Sequence, residues 1–398
     1  MNAKKVLQGV RVLDFGRYVA GPYAATLLGY LGADVIRVER REGGEDRFIA
    51  PVTANGEGAV FLQTACDKRS LTLDLAHAQA AQVLRPLIAS SDVVVANFPP
   101  RQLQKFGLDY ASLCAIRSDI ILATQTAFGE SGPYRDRGGF DGIGQALSGA
   151  MYITGTPGAP VKAAAPYVDF STAVLSAFGI LAAILHRRET GQGQQVGANL
   201  QTTAMAVFGS HLIEQSVLEL DRVGSGNRVQ TSAPSDVFPT RDGHVLTHVV
   251  GNALFARWAR LMGDAARWLD DPRFSTDQSR ADNSDDILAR MRLWCAERSC
   301  EQAITELEAA GLPAARVYTP REALADPQVT ALGSLHEVHD YPGLPRAAAI
   351  PDLPLRFSQL HAGISQRPPT LGEHTDEILA SLGFDTRAIA ALRNAQVV

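Results

Sequence analysis

The sequence predicts an α/β protein: a doubly wound, Rossmann-like parallel sheet domain joined to a smaller α+β domain. Residues 10–40 read strand, helix, strand, with VRVLDF, AGPYAATLLGYLGA and DVIRVER in succession. A unit of that kind implies parallel strands covered by helices. The alternation then continues to about residue 128. At 398 residues the chain is also longer than one core organises and suits about two domains.

The elements follow from apolar spacing. Val10–Phe15 is β-branched and apolar, Ala20–Ala33 has helical spacing, and Asp34–Arg40 is a second buried-type strand. Ser70–Leu75 predicts a strand, Ala76–Ser90 a helix and Asp92–Phe98 another strand. A helix over 108–117 and a strand over Ile120–Phe128 complete the alternation. GESGPYRDRGGFDG (129–142) is too polar, glycine-rich and long for a plain connector, so it is a candidate functional loop. A helix over 143–152, a Gly/Pro loop and the apolar helix Ser171–Arg188 come next. TGQGQQVGANL then leads into a further strand or helix, its glycines reading as a helix C-cap.

RVGSGNRVQTSAPSD (222–236) lacks periodicity and reads as a linker. VFPTRDGHVLTHVV predicts two strands about an Arg-Asp-Gly turn, and residues 253–310 are mostly helical up to the Gly311–Pro313 stop. The tail 368–398 has a Pro-Pro entry and two helical stretches. The expected organisation is a large domain beginning with 1–220, a small α+β domain at 226–320, and a C-terminal segment, 321–398, returning to the large domain.

Composition excludes several classes. With 46 % hydrophobic and 20 % charged residues the chain is an ordinary globular one. A net charge of −5 without long basic runs argues against nucleic-acid binding. The four cysteines (Cys66, Cys114, Cys295, Cys300) read as reduced thiols of a cytoplasmic protein, and the N-terminus lacks the apolar core of a secretion signal. The longest apolar stretch, Ala173–Leu185, is short for a bilayer span, so no membrane is expected.

Motifs narrow the chemistry further. The first turn reads GRYVAGP where a dinucleotide site carries GxGxxG, so NAD is disfavoured. GxSxG, HExxH, P-loop and CxxC patterns are absent, and the nine histidines are scattered without metal or triad spacing. No metal site is expected. Asp169 stands out because it ends APYVD, directly before FSTAVLSAFGILAAIL. A carboxylate there feels the helix N-terminus, stays ionised and has backbone donors nearby. It reads either as a structural N-cap or as a carboxylate nucleophile beside oxyanion donors.

LQGVRVLDFGRYVAGPYAATLLGYLGADVIRVERREGGED, SDVVVANFPP, FDGIGQALSGAMYITG, VDFSTAVLSAFGILAAILHRRETGQGQQV, GLPAARVYTPREALADPQV and PPTLGEHTDEILASLGF occur in that order. On these segments the chain resembles, nearly end to end, the class III CoA-transferases of CaiB/BaiF type, a family that includes formyl-CoA transferase and α-methylacyl-CoA racemase. The resemblance implies an enzyme in which Asp169 is catalytic. Its carboxylate forms a mixed anhydride with the acyl group of an acyl-CoA and then an aspartyl-CoA thioester, with no permanently bound cofactor. It implies that Arg40 holds CoA, that Lys105 stands where relatives carry a nucleotide-facing Arg, and that Leu73, Leu75, Asn97 and Phe98 line the adenine pocket. Val19 and Ala20 of the first turn, and Asp141, join the CoA-binding set. It also implies an interlocked homodimer.

Two departures shape the reading. Phe140 stands in GGFDG where the racemases have a histidine, which removes one partner of a two-base proton transfer. Val19 replaces the first-turn Gln of formyl-CoA transferases, and SGNRVQTSAPSD replaces their later glycine run. The expected function is therefore CoA transfer from an acyl-CoA, such as succinyl-CoA or a similar short-chain thioester, to a free carboxylic acid. The alternatives are an acyl-CoA racemase or epimerase and a non-catalytic acyl-CoA-binding protein.

Overall fold

Six short runs pair into one sheet: five are buried on both faces, as a parallel sheet between helices requires, and the sixth, at the edge, is half-buried. The computed structural model describes residues 5–398, so residues 1–4 of the segment read above for a secretion signal lie outside the described residues. The strands are β1 (Arg11–Asp14), β2 (Asp34–Glu39), β3 (Lys68–Thr72), β4 (Val93–Ala96), β5 (Ile121–Thr126) and β6 (Gln195–Asn199). Their order is β3-β2-β1-β4-β5-β6 and all pairs are parallel, with Arg11 opposite Asp34 and Val12 opposite both Val35 and Val93. The order reverses between β1 and β4. That reversal opens a crevice at their carboxyl ends, where ligands bind in folds of this kind.

The helices of this sheet begin with α1 (Ala20–Tyr30), α2 (Ala59–Thr64), α3 (Ala80–Ala89), α4 (Pro100–Phe106) and α5 (Tyr110–Cys114). They continue with α6 (Asp141–Leu147), α8 (Tyr167–Thr190), α9 (Leu200–Val207) and α10 (Gly209–Leu218); α7 (Ala150–Thr154), between α6 and α8 in the chain, belongs to the second compact unit in all but its first residue. One side of the sheet packs Leu13, Ile36, Leu71, Val94 and Leu122 against α3 and the C-terminal residues Ile378, Leu379, Ile389 and Leu392. The other side packs Val12, Val35, Val93, Val95 and Ile121 against α1 and α8 through Leu28, Ile180 and Ile184.

Several elements differ from the sequence expectation. The strand expected at 70–75 starts at Lys68, whose ammonium is fully buried 2.7 Å from Asp14 Oδ2, so a charged residue sits in a core strand because its partner is there too. Helix α4 was hidden by Pro-Pro, yet Pro99 is its N-cap and Pro100 its first residue, positions that need no amide hydrogen. The helix expected at 143–152 is two helices, α6 and α7, with Gly149 at φ +88 between them. The stretch read as too short for a bilayer lies within α8, a helix of 24 residues that contains an 18-residue window of mean hydropathy 2.0. By length and composition it could cross a membrane. Half of its apolar window is buried against the sheet and α1, as in a core helix.

The described residues form two compact units. The first comprises residues up to Ala150, Ala163–Val217 and Thr330–Val398, and holds the six-stranded sheet. It also contains the hairpin β10 (Leu335–Val338) and β11 (Ala348–Pro351) and the tail helices Thr375–Ser381 and Thr386–Asn394. The second comprises Met151–Lys162 and Leu218–Val329, limits that extend beyond 226–320. It has an antiparallel sheet of β7 (Ser235–Thr240), β8 (Gly243–His248) and β9 (Ala314–Arg316). Its core is aromatic, with Phe255, Trp258, Trp268, Phe274 and Trp294 buried together.

Candidate functional site

The β1–α1 turn is tight enough to demand glycine. A Cβ on Gly16 would lie 2.7 Å from Pro22 Cδ, and the Gly16 amide donates to Asp14 Oδ1 at 2.8 Å. Beyond it Tyr18 adopts φ +64, an uncommon conformation for a residue with a side chain, and its ring meets Phe140 edge-on at 5.1 Å. Asn97, just past β4, binds the turn through both ends of its amide. Its Nδ2 donates to the Arg17 carbonyl at 2.7 Å and its Oδ1 accepts from the Arg17 amide at 2.9 Å. The turn is thereby tied to the neighbouring strand at the place where the sheet order reverses.

Two cavities open there. One of about 240 Å³ is lined by Arg17, Arg40, Leu73, Leu75 and Phe98, among others. The other, about 510 Å³, is lined by Arg17, Val19, Ala20, Asn97, Phe98 and Asp169, among others. Arg17, Phe98 and Gln102 border both, with the Arg17 guanidinium 5.1 Å from the Phe98 ring centre. Together they make one cleft running from the β2–β3 edge to the start of α8.

Of the residues singled out in the sequence, the structure brings Val19, Ala20, Arg40, Leu73, Leu75, Asn97, Phe98 and Asp169 to this cleft. Arg40 is half-exposed and pairs with Glu45 at 2.6 Å. Lys105 lies on the exposed side of α4, its ammonium 5.7 Å from the Phe106 ring centre, and borders neither cavity. Asp141 is buried behind the wall. Its Oδ1 accepts from the amides of Val168 (2.7 Å) and Asp169 (3.2 Å), and its Oδ2 from Gln145 Nε2 (2.5 Å). Gln145 Oε1 in turn accepts from the Ala163 amide at 2.9 Å.

This network corrects two expectations about Asp169. The residue does not precede its helix; Pro166 is the N-cap of α8, and Asp169 is the third residue inside. It also does not keep an ordinary carboxylate pKa. Burial, together with the nearby Asp141 carboxylate, pushes its carboxyl up to about 7. The first-turn amides that were to stabilise Asp169 are instead taken by Asp141, so the helix terminus supports the second carboxylate and leaves the first destabilised when charged.

Among the lining residues that were not singled out in the sequence, four carry the chemistry of interest. Arg17, Arg135 and Arg137 bring cationic groups to the larger cavity, the last two from the Gly-rich loop. Gln125 on β5 also lines it, 4 % exposed, with neither amide atom hydrogen-bonded among the described residues. Only the loop carried a sequence signal, through its length and glycine content. Among the described residues, no group of three or more His, Cys, Asp or Glu is placed to hold a metal ion.

The model of CoA-transferase family III matches residues 7–375 of the chain. The chain is 33 % identical to a succinate–glutarate CoA-transferase of Agrobacterium fabrum, over 96 % of each chain. It is 32 % identical to a succinyl-CoA–D-citramalate CoA-transferase of Chloroflexus aurantiacus, over 98 % of each. The crystal structure of a CaiB/BaiF family protein from Brucella suis superposes with a TM-score of 0.84 at 30 % identity, covering 96 % of this chain and all of that one.

Proposed function

The chain belongs to CoA-transferase family III and is an enzyme that transfers CoA, and from that premise we propose that it moves CoA from succinyl-CoA to a short-chain carboxylic acid through Asp169. The observation that carries this reading is the placement of one buried carboxyl group, Asp169, in the wall of a cleft that also reaches Arg40. The names of the Agrobacterium and Chloroflexus relatives support a succinyl donor and a four- or five-carbon acceptor.

The steps balance without proton or redox change. The Asp169 carboxylate attacks the thioester carbonyl carbon, the C–S bond breaks, and CoA thiolate leaves a mixed anhydride behind. The thiolate attacks the aspartyl carbonyl carbon, the anhydride C–O bond breaks, and the first acid departs as its carboxylate. The acceptor carboxylate then attacks the aspartyl-CoA thioester and frees the thiolate. The thiolate attacks the new acyl carbon, restoring the Asp169 carboxylate and releasing the new thioester.

Burial suits this role. A desolvated carboxylate is a stronger nucleophile than one hydrated in water, and with its pKa raised to about 7 it is ionised in about half of the molecules at neutral pH and in most of them above it. Leu73, Leu75 and Phe98 supply an apolar slot for the adenine, and Arg40 and Arg17 the charge for CoA phosphates. Asp141 and Asn97 act as positioning residues, the one holding the start of α8 and the other the β1–α1 turn. Lys105, on the exposed side of α4, is the further cation that this reading assigns to the nucleotide.

The reading also carries an interlocked homodimer in the cytoplasm. The exposed apolar side chains Phe178 and Leu185 on α8, with Ile213 and Val217 on α10, provide surface for a partner subunit. The four free thiols suit a reducing compartment. Asp169→Ala tests the central step: transfer is lost while CoA still binds, and surviving turnover would remove Asp169 from its role.

A further inference from the structure

Gln125 is the least explained polar group near the cleft. It sits on β5 with 4 % of its surface exposed, and both Nε2 and Oε1 lack a hydrogen-bond partner among the described residues. A buried carboxamide left unpaired costs the free protein stability, so such a group calls for a ligand or a water. The larger cavity is the space it borders. The neighbouring carboxamide, Asn97, is bound to Arg17 through both its oxygen and its nitrogen, so the two amides do not share one role.

The surroundings define what would satisfy it. Part of the same cavity's wall, Val19, Ala20, Ala127, Phe140, Ile143 and Leu200, is apolar and suited to a carbon chain, and Arg17, Arg135 and Arg137 add cationic groups to the rest of it. Gly21 makes room for the amide: a Cβ there would lie 3.1 Å from Gln125 Oε1. Asp169 borders the same space, so an acyl group joined to its carboxylate has its chain within this lining. A methyl-ended chain would leave the Gln125 amide orphaned in the complex as it is in the free protein. An oxygen carried on that chain would pair with it.

Resting on the transferase reading above, we propose that Gln125 determines acid specificity by hydrogen-bonding a second oxygen function, carboxylate or hydroxyl, on the carbon chain of the transferred acid. A carboxylate accepts from Nε2. A hydroxyl accepts from Nε2 or donates to Oε1. Sites built to bond a substrate oxygen reject analogues lacking it, because the buried group is left unpaired.

The test offers an equimolar mixture of pentanoate, glutarate and 2-hydroxyglutarate to the full-length protein with succinyl-CoA as donor. The thioesters formed are read by mass spectrometry for wild type and for Gln125→Met, which keeps the volume and removes the amide. The shared donor cancels from the ratios. Wild type should favour the oxygenated acids over pentanoate, and the variant should lose roughly 10- to 100-fold of that preference. Preference for glutarate identifies the carboxylate as the oxygen read, and a further gain for 2-hydroxyglutarate the hydroxyl. Unchanged ratios in the variant overturn the proposal, as does a proportional loss with all three acids. Thermal melting without substrate judges Gln125 separately. Removing an orphaned amide should hold or raise Tm, whereas a fall means that the amide is structural and overturns the proposal. No thioester from wild type with any acid instead overturns the transferase reading and leaves the melting result to judge Gln125.

Discussion

Asp141 caps the helix that carries Asp169, its Oδ1 accepting from the Val168 amide at 2.7 Å and from the Asp169 amide at 3.2 Å. The two carboxylates therefore divide the work of one helix terminus. Asp141 takes the amide hydrogens and Asp169 is left buried beside a like charge. Active sites commonly separate acidic groups in this way.

A first consequence concerns Asp141→Asn. The amide oxygen can still cap α8, but the charge that helps to raise the Asp169 pKa is gone. The apparent pKa governing kcat/KM should fall, with the fold retained. Asp141→Ala removes the cap as well and should cost about 1–2 kcal/mol of stability. An unshifted pH profile in the Asn variant would show that the Asp141 charge does not reach Asp169.

The pH dependence of the enzyme itself follows from the same group. A nucleophilic carboxylate works only when ionised, and the Asp169 carboxyl stands at about 7 through burial first and Asp141 second. The kcat/KM of wild type should drop on acidification below neutrality, roughly tenfold per pH unit at the limit. A flat profile down to pH 5 would mean that Asp169 keeps an ordinary carboxylate pKa.

Stability should move the other way. The folded pKa of Asp169 lies above its ordinary value of 3.8, so between about pH 4 and 7 the folded state binds the extra proton. Its contribution to stability is present at the acid end of that window and is lost as pH rises through about 7. Asp169→Asn, neutral throughout, should therefore melt higher than wild type at pH 8, by an amount on the order of 2–4 kcal/mol, and the gap should close toward pH 5. Equal melting at both pH values would contradict the raised pKa.

Arg40 offers a test of binding apart from chemistry. Its bond to Glu45 is half-exposed on both sides, and exposed pairs contribute little to stability. Arg40→Ala should leave Tm almost unchanged while raising the KM for acyl-CoA about tenfold, with a smaller effect on kcat. A loss confined to kcat would place Arg40 in the chemistry.

Much of this was legible in the sequence. Val12, Leu13, Val93, Val94 and Val95 are buried on both faces, so their β-branched runs show as strands in any local window. Asp169 and Arg40 were singled out through the resemblance that the order of motifs carries, and both border the cleft. What escaped depends on distant partners. Lys68 and Asp14 lie 54 residues apart, and only their pairing makes a lysine a core strand residue. Asp141 stands 27 residues from the amide it caps, so the apparent N-cap role passed to Asp169, which is adjacent in sequence. Gln125 lies within the strand read over Ile120–Phe128 and carried no signal of its own; its orphaned amide exists only once the cavity does.

The most direct test of the central claim is intact-mass spectrometry of the protein incubated with succinyl-CoA, followed by peptide mapping after hydroxylamine trapping. An adduct of one CoA less water, or the hydroxamate that replaces it, is expected at Asp169 and absent in Asp169→Asn. An adduct mapping to another residue, or turnover by Asp169→Asn without any adduct, would contradict transfer through this carboxylate.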